Sequence, residues 1–170
     1  MTEPAATTII GVGSPLMGDD GVGLAALERI REEWRFEPAV ELVDGGTWGM
    51  NILPFIDGAD RLLFLDAVRT GAGPGEVVRL DRQDLPRFLS TKLSPHQIDL
   101  REVLALAELR GTLPAETVVL GVEPAVVELG DGLSEPVGRA VDGLVRAAVD
   151  LLRRWGHTCR AGTAAPQPPG

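Results

Sequence analysis

The residues Asp19, Asp20, Asp66 and His96 have the types and positions expected of a metal-binding or proton-transfer site. Asp66 directly follows the apolar run 62–65, so its carboxylate should lie at the mouth of the core and require a hydrogen bond, an opposite charge or a metal. His96 should lie in the first turn of a helix, where the helix dipole favours the neutral imidazole that binds metals. Two carboxylates and one imidazole would make a three-ligand site with open positions, which suits a first-row divalent ion.

The adjacent pair Asp19 and Asp20 also has a structural interpretation, because either carboxylate could cap the helix that follows and interact with its dipole. Two neighbouring carboxylates repel each other, so one of them is expected to face a cation. The second histidine, His157, follows the last predicted helix and is expected to be solvated. Spacing alone does not bring the candidate ligands together, because tens of residues separate Asp20, Asp66 and His96.

The glycine-rich segment 11–23 could suggest a nucleotide-binding loop, but its details argue against one. A dinucleotide-binding fingerprint requires a third glycine where this chain has Leu16. A P-loop requires Lys and then Ser or Thr after Gly18, whereas here Asp19 and Asp20 would repel a phosphate. The same argument disfavours a phosphate-dependent enzyme such as a nucleoside phosphorylase.

Strands are predicted at 7–12, 40–43, 62–65, 75–80 and 117–122, which are short runs rich in apolar or β-branched residues. The run 75–80 is the candidate edge strand. Apolar residues at helical spacing predict helices from Asp20 to about Arg35, from Pro95 to near Gly111, and over 134–155, with a helical turn within 50–58. Ser94, Pro95 and Gln97 form the capping-box start of the middle helix.

Alternating strands and helices predict an α/β fold, a single three-layer α/β/α domain with a mostly parallel twisted sheet of about five strands. The chain has 170 residues, which suffices for one core. We expect the domain to span 1–156 and residues 157–170, rich in Ala, Pro and Gly, to form a disordered tail. Ligands of such sheets gather beyond the carboxyl ends of the strands, where the segment 11–23, the turn 44–47 and Asp66 are expected.

The charge and composition of the chain disfavour several classes of binding partner. A formal net charge of −9 disfavours binding to nucleic acid or anionic lipid. Cys159 is the only cysteine and cannot form an internal disulfide, and the first apolar run is too short and too interrupted by glycine to form a signal peptide or a membrane span. We therefore expect a cytoplasmic protein with protein or cation partners, no nucleic acid and no membrane insertion.

Five motifs in order closely resemble those of the hydrogenase maturation endopeptidases. They are Gly-Val-Gly-Ser-Pro-Leu-Met-Gly-Asp-Asp-Gly-Val-Gly (11–23), Asp-Gly-Gly-Thr (44–47), Leu-Phe-Leu-Asp-Ala (63–67), Ser-Pro-His-Gln (94–97) and Gly-Val-Glu-Pro (121–124). The resemblance extends from about residue 8 to residue 155. It implies an endopeptidase that removes the C-terminal extension of the large-subunit precursor of a nickel–iron hydrogenase, on a twisted sheet between helices.

The resemblance also implies roles for individual residues. Asp20, Asp66 and His96 match the family's metal-contacting residues. The metal would be the nickel already installed in the precursor, so that the peptidase would need no permanent cofactor. Substrate recognition would involve the Asp-Gly-Gly-Thr stretch, which here is Asp44, Gly45, Gly46 and Thr47.

Two positions depart from the family pattern. Ser14 stands where many members have Asn, and Asp20 stands where some have Glu, so Asp19 stays open as the alternative to Asp20. The catalytic group is not assigned by the sequence, and Asp20, Asp66 and His96 are the candidates. A metal could polarise the carbonyl or activate water, with a carboxylate as base. The alternative function is a nickel-sensing chaperone that binds the hydrogenase precursor without cleaving it.

Overall fold

The structure is a computed structural model that describes residues 3–46, 49–86 and 95–162, and for residues 95–101 it describes the backbone. Its centre is a five-stranded sheet in the order β3-β1-β4-β6-β5. Four strands run parallel and β5 pairs antiparallel with β6 at one edge, which confirms the predicted edge strand. The strands are β1 (Thr7–Val12), β3 (Glu41–Gly46), β4 (Arg61–Ala67), β5 (Val77–Asp81) and β6 (Glu116–Val122).

Helices cover both faces of the sheet and produce two apolar cores. They are α1 (Val22–Glu33), α2 (Leu53–Asp57), α3 (Pro95–Arg110) and α4 (Glu135–Arg154). Residues of α1 and α4 pack on one face, and residues of α2 and α3 pack on the other. The expected three-layer α/β/α fold is therefore confirmed. Within the described ranges, no helix is long and apolar enough to cross a membrane.

A two-stranded antiparallel ribbon was not predicted from the sequence. It joins β2 (Trp34–Glu37) to β7 (Thr158–Ala161). We expected the first helix to reach about Arg35 because Trp34 continues its apolar spacing, but α1 ends at Glu33 and Trp34 starts β2. The ordered chain also continues beyond the predicted boundary at 156, because β7 lies inside the segment 157–170 that we expected to be a disordered tail. Residues 163–170 of that segment lie outside the described residues.

His157, which we expected to be solvated, is buried. Its Nδ1 atom donates a hydrogen bond to the carbonyl of Pro38 at 2.7 Å, and its Nε2 atom lies 2.9 Å from Thr7 Oγ1. The prediction was wrong because these partners lie more than one hundred residues away in the sequence. His157 thus connects the residues that flank the β2–β7 ribbon to the start of β1. It does not belong to the candidate site.

The topology places the start of α3 at the carboxyl edge of the parallel strands. α3 ends at Arg110 and β6 begins at Glu116, so the end of the helix lies near the amino end of that strand. A helix of 16 residues spans about 24 Å and a strand of seven residues about 23 Å, so α3 runs back along the full length of the sheet. Pro95 is the first residue of α3, as predicted, whereas Ser94 lies outside the described residues.

Gly13 and Gly23 leave no room for a side chain, because backbone atoms approach them closely. A Cβ atom added to Gly23 in α1 would lie 2.1 Å from the carbonyl oxygen of Leu65 in β4. Gly13 has φ of +116°, and a Cβ there would lie 2.0 Å from the carbonyl oxygen of Asp20. The glycine pattern that resembles a nucleotide-binding loop therefore serves close packing of this loop and α1 on the sheet.

Gly23→Ala should destabilise the fold by more than about 3 kcal/mol, because the added methyl group collides with backbone atoms that cannot move away cheaply. The matched control is Gly138→Ala in α4, where a Cβ meets nothing within 4 Å. That substitution should stabilise the protein by about 0.5–1 kcal/mol through helix propensity. Urea unfolding measures both values, and equal effects of the two substitutions would contradict the packing argument.

Candidate active site

Two buried carboxylates lie close together at the carboxyl edge of the sheet. Asp66 is the penultimate residue of β4 and is 1% exposed. Asp20 is buried in a short 3-10 turn, Gly18–Gly21, that precedes α1. Burial raises the pKa of Asp66 well above its ordinary value, and the negative charge of Asp20 raises it further. The two groups are therefore electrostatically coupled, although 46 positions separate them in the sequence.

The Asp66 carboxylate is only partly satisfied by hydrogen bonds. Its Oδ1 atom accepts a hydrogen bond from the backbone N–H of Ala67 at 2.8 Å. Its Oδ2 atom is buried and has no hydrogen-bond partner among the described residues. Such an atom is costly for a protein to retain, since burial removes it from water without replacing the lost interaction. This carboxylate has the character of a group that binds a proton or a cation.

Alternation along β4 determines which face Asp66 occupies. Leu63 and Leu65 belong to the core under α1 and α4, whereas Leu62 and Phe64 belong to the core under α2 and α3. Because successive strand residues alternate between faces, Asp66 lies on the face that α2 and α3 cover. That face carries the helix on which His96 is located.

Asp20 holds the preceding loop in place instead of capping α1. Its Oδ2 atom accepts a hydrogen bond from the backbone N–H of Ser14 at 2.9 Å. The N-cap position of α1 is Gly21, and no side chain caps the helix there. The cap that we expected from Asp19 or Asp20 is therefore wrong, because the 3-10 turn separates both carboxylates from the first turn of α1.

Asp19 joins the first loop to the connection between β6 and α4. Its carboxylate accepts hydrogen bonds from the backbone N–H groups of Ala125, Val126 and Ser134, at 2.7–2.9 Å. The hydroxyl of Ser134 donates a fourth hydrogen bond to Asp19 Oδ2 at 2.8 Å. Both oxygens of Asp19 are thus engaged within the protein, which favours Asp20 as the carboxylate that faces a metal. The metal role of Asp20 stays a prediction.

The pKa of Asp19 responds to two opposing effects. Burial alone would raise the pKa, because it disfavours the charged form. The hydrogen bonds from Val126, Ser134 and Ala125 outweigh burial and lower the pKa below its ordinary value. Asp19 and Asp66 are therefore shifted in opposite directions, although both carboxylates are buried at the same edge of the sheet.

The structure describes the backbone of the third predicted metal contact, His96, but not its side chain. The backbone of His96 lies in the first turn of α3 at this edge, as predicted, but its side chain is outside the described residues. Among the side chains that are described, no three possible metal ligands cluster together. The convergence of Asp20, Asp66 and His96 therefore stays a prediction.

The predicted recognition segment 44–47 ends the edge strand β3. Asp44 is exposed, and the carbonyl oxygen of Gly46 accepts a hydrogen bond from the N–H of Gly13 at 3.0 Å. This bond fixes the end of β3 against the first loop. Thr47 lies outside the described residues, and the recognition role of the segment stays a prediction.

Glu123 is a buried carboxylate at this edge to which we assigned no role from the sequence. It follows the end of β6, and its Oε2 atom accepts a hydrogen bond from the N–H of Thr70 at 2.6 Å. The bond anchors the segment that continues the chain from Asp66. Its signal was present in the motif 121–124, where a carboxylate follows a buried strand as Asp66 does.

Comparisons with known proteins agree on one family. The profile of the HycI family, described as hydrogenase maturation protease, matches residues 24–151. The chain is 38% identical over 149 residues to the hydrogenase expression/formation protein HoxM of Cupriavidus necator, covering 86% of this chain and 74% of the relative. It is 30% identical over 149 residues to the hydrogenase 2 maturation protease of Escherichia coli, covering 87% and 91%.

Solved structures give the same result. The hydrogenase maturating endopeptidase HybD of Escherichia coli superposes with a TM-score of 0.86 at 29% identity, covering 92% of this chain and 97% of that chain. The [NiFe] hydrogenase maturation protease HybD of Thermococcus kodakarensis superposes with a TM-score of 0.70 at 27% identity, covering 86% and 98%.

Asp19→Asn should reduce the free energy of unfolding at pH 7 by roughly 2–3 kcal/mol, because it removes a charged acceptor of four hydrogen bonds. Since the folded-state pKa of Asp19 is lowered, its contribution is complete above the unfolded-state pKa of about 3.9 and is lost as pH falls through the folded-state value. The difference from wild type should therefore shrink in acid. The exposed Asp131→Asn is the control for urea unfolding across pH, and a difference independent of pH would contradict this assignment.

Asp66→Asn should have the opposite effect. The folded-state pKa of Asp66 is raised, so ionisation destabilises the fold as pH rises through that value. The amide removes this cost, and we expect the variant to exceed wild type by about 1–3 kcal/mol at pH 8 and to approach it below about pH 4. The same urea titrations measure this crossover. A variant less stable than wild type at pH 8 would mean that the charged carboxylate is stabilised within the fold.

Proposed function

Because the chain belongs to the hydrogenase maturation protease family, we propose that it removes the C-terminal extension of a hydrogenase large-subunit precursor after recognising the nickel in that precursor. Family membership rests on the profile match over residues 24–151 and on relatives of at least 30% identity. It makes the chain an endopeptidase, in place of the non-cleaving chaperone that the sequence left as an alternative. The C-terminal cut and the nickel dependence belong to the proposal.

The observation that carries the nickel proposal is the Asp66 carboxylate. One of its oxygens is buried with no hydrogen-bond partner among the described residues, and Asp20 adds a second negative charge nearby. A divalent cation would relieve both the repulsion and the unsatisfied oxygen. With the imidazole of His96, the donor set is two oxygens and one nitrogen, which suits a first-row divalent ion.

The nickel is proposed to arrive with the substrate and to leave with it. Three ligands of mixed character at an open site hold a metal only modestly, since other positions are left to water or to the substrate. The thiolates of the hydrogenase centre bind nickel more firmly. Asp20, Asp66 and His96 therefore contact the metal from outside, and the peptidase needs no permanent cofactor.

Hydrolysis of the peptide bond needs a group that removes a proton from the attacking water and a route for that proton to the departing amine. Burial and the charge of Asp20 raise the pKa of Asp66, so this carboxylate binds a proton more firmly than an ordinary aspartate and can take the proton from water and pass it to the amine. Nickel held by the substrate can polarise the carbonyl that is attacked. Asp20, Asp66 and His96 are thus the candidate catalytic groups as well as the metal contacts.

Substrate recognition is assigned to the Asp-Gly-Gly-Thr stretch, Asp44, Gly45, Gly46 and Thr47. Asp44 is exposed on an edge strand, where a polypeptide partner can reach it. Gly46 is hydrogen-bonded to the loop that carries Asp20, so binding at the stretch is coupled structurally to the candidate metal site.

The test is incubation of the protein with nickel-loaded and nickel-free large-subunit precursor from the same organism, followed by intact-mass measurement. The loaded precursor should lose a C-terminal peptide, and the nickel-free precursor should keep its mass. Equal cleavage of both precursors would contradict nickel recognition. An unchanged mass for both would contradict the proposed substrate.

The two histidines of the chain provide a matched pair of variants for that assay. His96→Ala should reduce cleavage at least about 100-fold without a change in the melting temperature, because a first-turn residue at the site contributes little to the core. His157→Ala should lower stability by roughly 1–3 kcal/mol through two lost hydrogen bonds, while the folded fraction still cleaves. The reverse pattern would assign His96 a structural role.

A further inference from the structure

Two surface segments lie side by side next to the candidate active site. The N–H of Gly18 donates to the carbonyl of Gly130 at 3.1 Å, and the N–H of Gly130 donates to the carbonyl of Leu16 at 2.9 Å. Met17 and Gly130 form a parallel bridge, so Leu129 is adjacent to Leu16 in the register. The first segment leads directly to Asp20, so this surface is continuous with the loop that carries a candidate metal contact.

Large apolar side chains are exposed on these adjoining segments. Six large hydrophobic residues are exposed within the described ranges, and three of them lie here, with exposures of 61% for Leu16, 41% for Val126 and 83% for Leu129. These three residues are called the apolar patch below. A clustered exposed apolar surface beside a functional site is typical of a protein-binding surface.

The patch is held in a fixed arrangement before any partner binds. Asp19 accepts hydrogen bonds from Val126 N and from both donors of Ser134, which connects the two segments through a buried carboxylate. A second link runs from Asp19 N to the carbonyl of Val126 at 2.9 Å. A surface ordered in advance loses less entropy on binding, which increases affinity.

The charged residues of the two chain stretches that contain the patch are all acidic. No Lys or Arg occurs in residues 1–28 or in residues 111–138, the two stretches that contain the patch. Glu128 and Asp131 are exposed beside Leu129. A partner segment that covers the apolar side chains would therefore meet these two carboxylates, and basic side chains at its edge would complement them.

We propose that the apolar patch docks a segment of the hydrogenase precursor that carries apolar side chains together with at least one Lys or Arg. The proposal rests on the proposed function, because the precursor must place its cleavage site near Asp66 at the same edge of the sheet. The apolar contacts provide affinity, and Glu128 and Asp131 contribute to the association rate and to the discrimination against other proteins.

The experiment measures kcat and KM for cleavage of the nickel-loaded precursor by Leu129→Ser and Leu16→Ser variants. Each change should raise KM about tenfold and leave kcat within about twofold of wild type, because it removes binding at a distance from the cleaved bond. The matched control is Leu109→Ser. Leu109 is 85% exposed near the end of α3, close to the amino ends of the parallel strands and therefore away from the candidate site. It should leave both parameters unchanged.

A charge variant tests the basic character of the partner segment. Glu128→Gln combined with Asp131→Asn should raise KM about threefold to tenfold at low salt and weaken the salt dependence of kcat/KM. The control is Asp142→Asn, on the exposed surface of α4. Unchanged salt dependence would contradict a basic partner segment.

The outcomes separate this proposal from the proposed function. If wild type cleaves the loaded precursor and the leucine variants retain its KM, the docking proposal is wrong and the proposed function stands. If sedimentation shows a dimer that Leu129→Ser dissociates while KM is unchanged, the patch is a contact between copies of this chain. If wild type does not cleave the precursor at all, the proposed function itself fails.

Discussion

Four carboxylates, those of Asp19, Asp20, Asp66 and Glu123, are buried at one end of the sheet among the described residues, and the rest of the site depends on how the fold accommodates them. Each would lose much of its hydration on folding, and the fold compensates each to a different degree. Among the described residues, Asp19 accepts four hydrogen bonds and its pKa is lowered, whereas Asp66 accepts one and burial raises its pKa. Two aspartates at the same end of the sheet therefore differ in role. Asp19 holds the structure together, and Asp66 remains able to bind a proton or a cation. Asp20 follows Asp19 in the chain, and its negative charge is near enough to Asp66 to raise the pKa of that carboxyl.

The arrangement depends on how closely the first loop approaches the sheet. Gly23 and Gly13 let backbone atoms come within distances that no side chain would allow. α1 can therefore begin directly against the end of β4, and Asp20 is brought close enough to Asp66 for their charges to interact. A Cβ atom at Gly23 would collide with the carbonyl oxygen of Leu65, and one at Gly13 with that of Asp20, so the two glycines support the site although they carry no reactive group.

The sequence was sufficient for those features that depend on neighbouring residues. The apolar run before Asp66, the Pro at the start of α3 and the edge character of β5 all followed from local patterns. The roles of Asp19 and His157 were missed because their partners lie 106–115 and 119–150 positions away in the sequence. No local pattern specifies such pairings. The ribbon of β2 and β7 was missed because each strand has only four residues and the two strands pair across more than one hundred positions of the sequence.

A division of recognition between the carboxylates and the apolar patch would explain how a weak metal contact could be selective. Free metal ions would meet only the site of Asp20, Asp66 and His96, and a nickel-free precursor would meet mainly the patch and the Asp-Gly-Gly-Thr stretch. The loaded precursor would engage both, and linked contacts of modest strength would multiply their effect, because the second contact would form at high effective concentration. Strong binding at either place alone would erode the distinction between loaded and unloaded precursor. The incomplete satisfaction of Asp66 is therefore consistent with a site that depends on its substrate for the missing interaction.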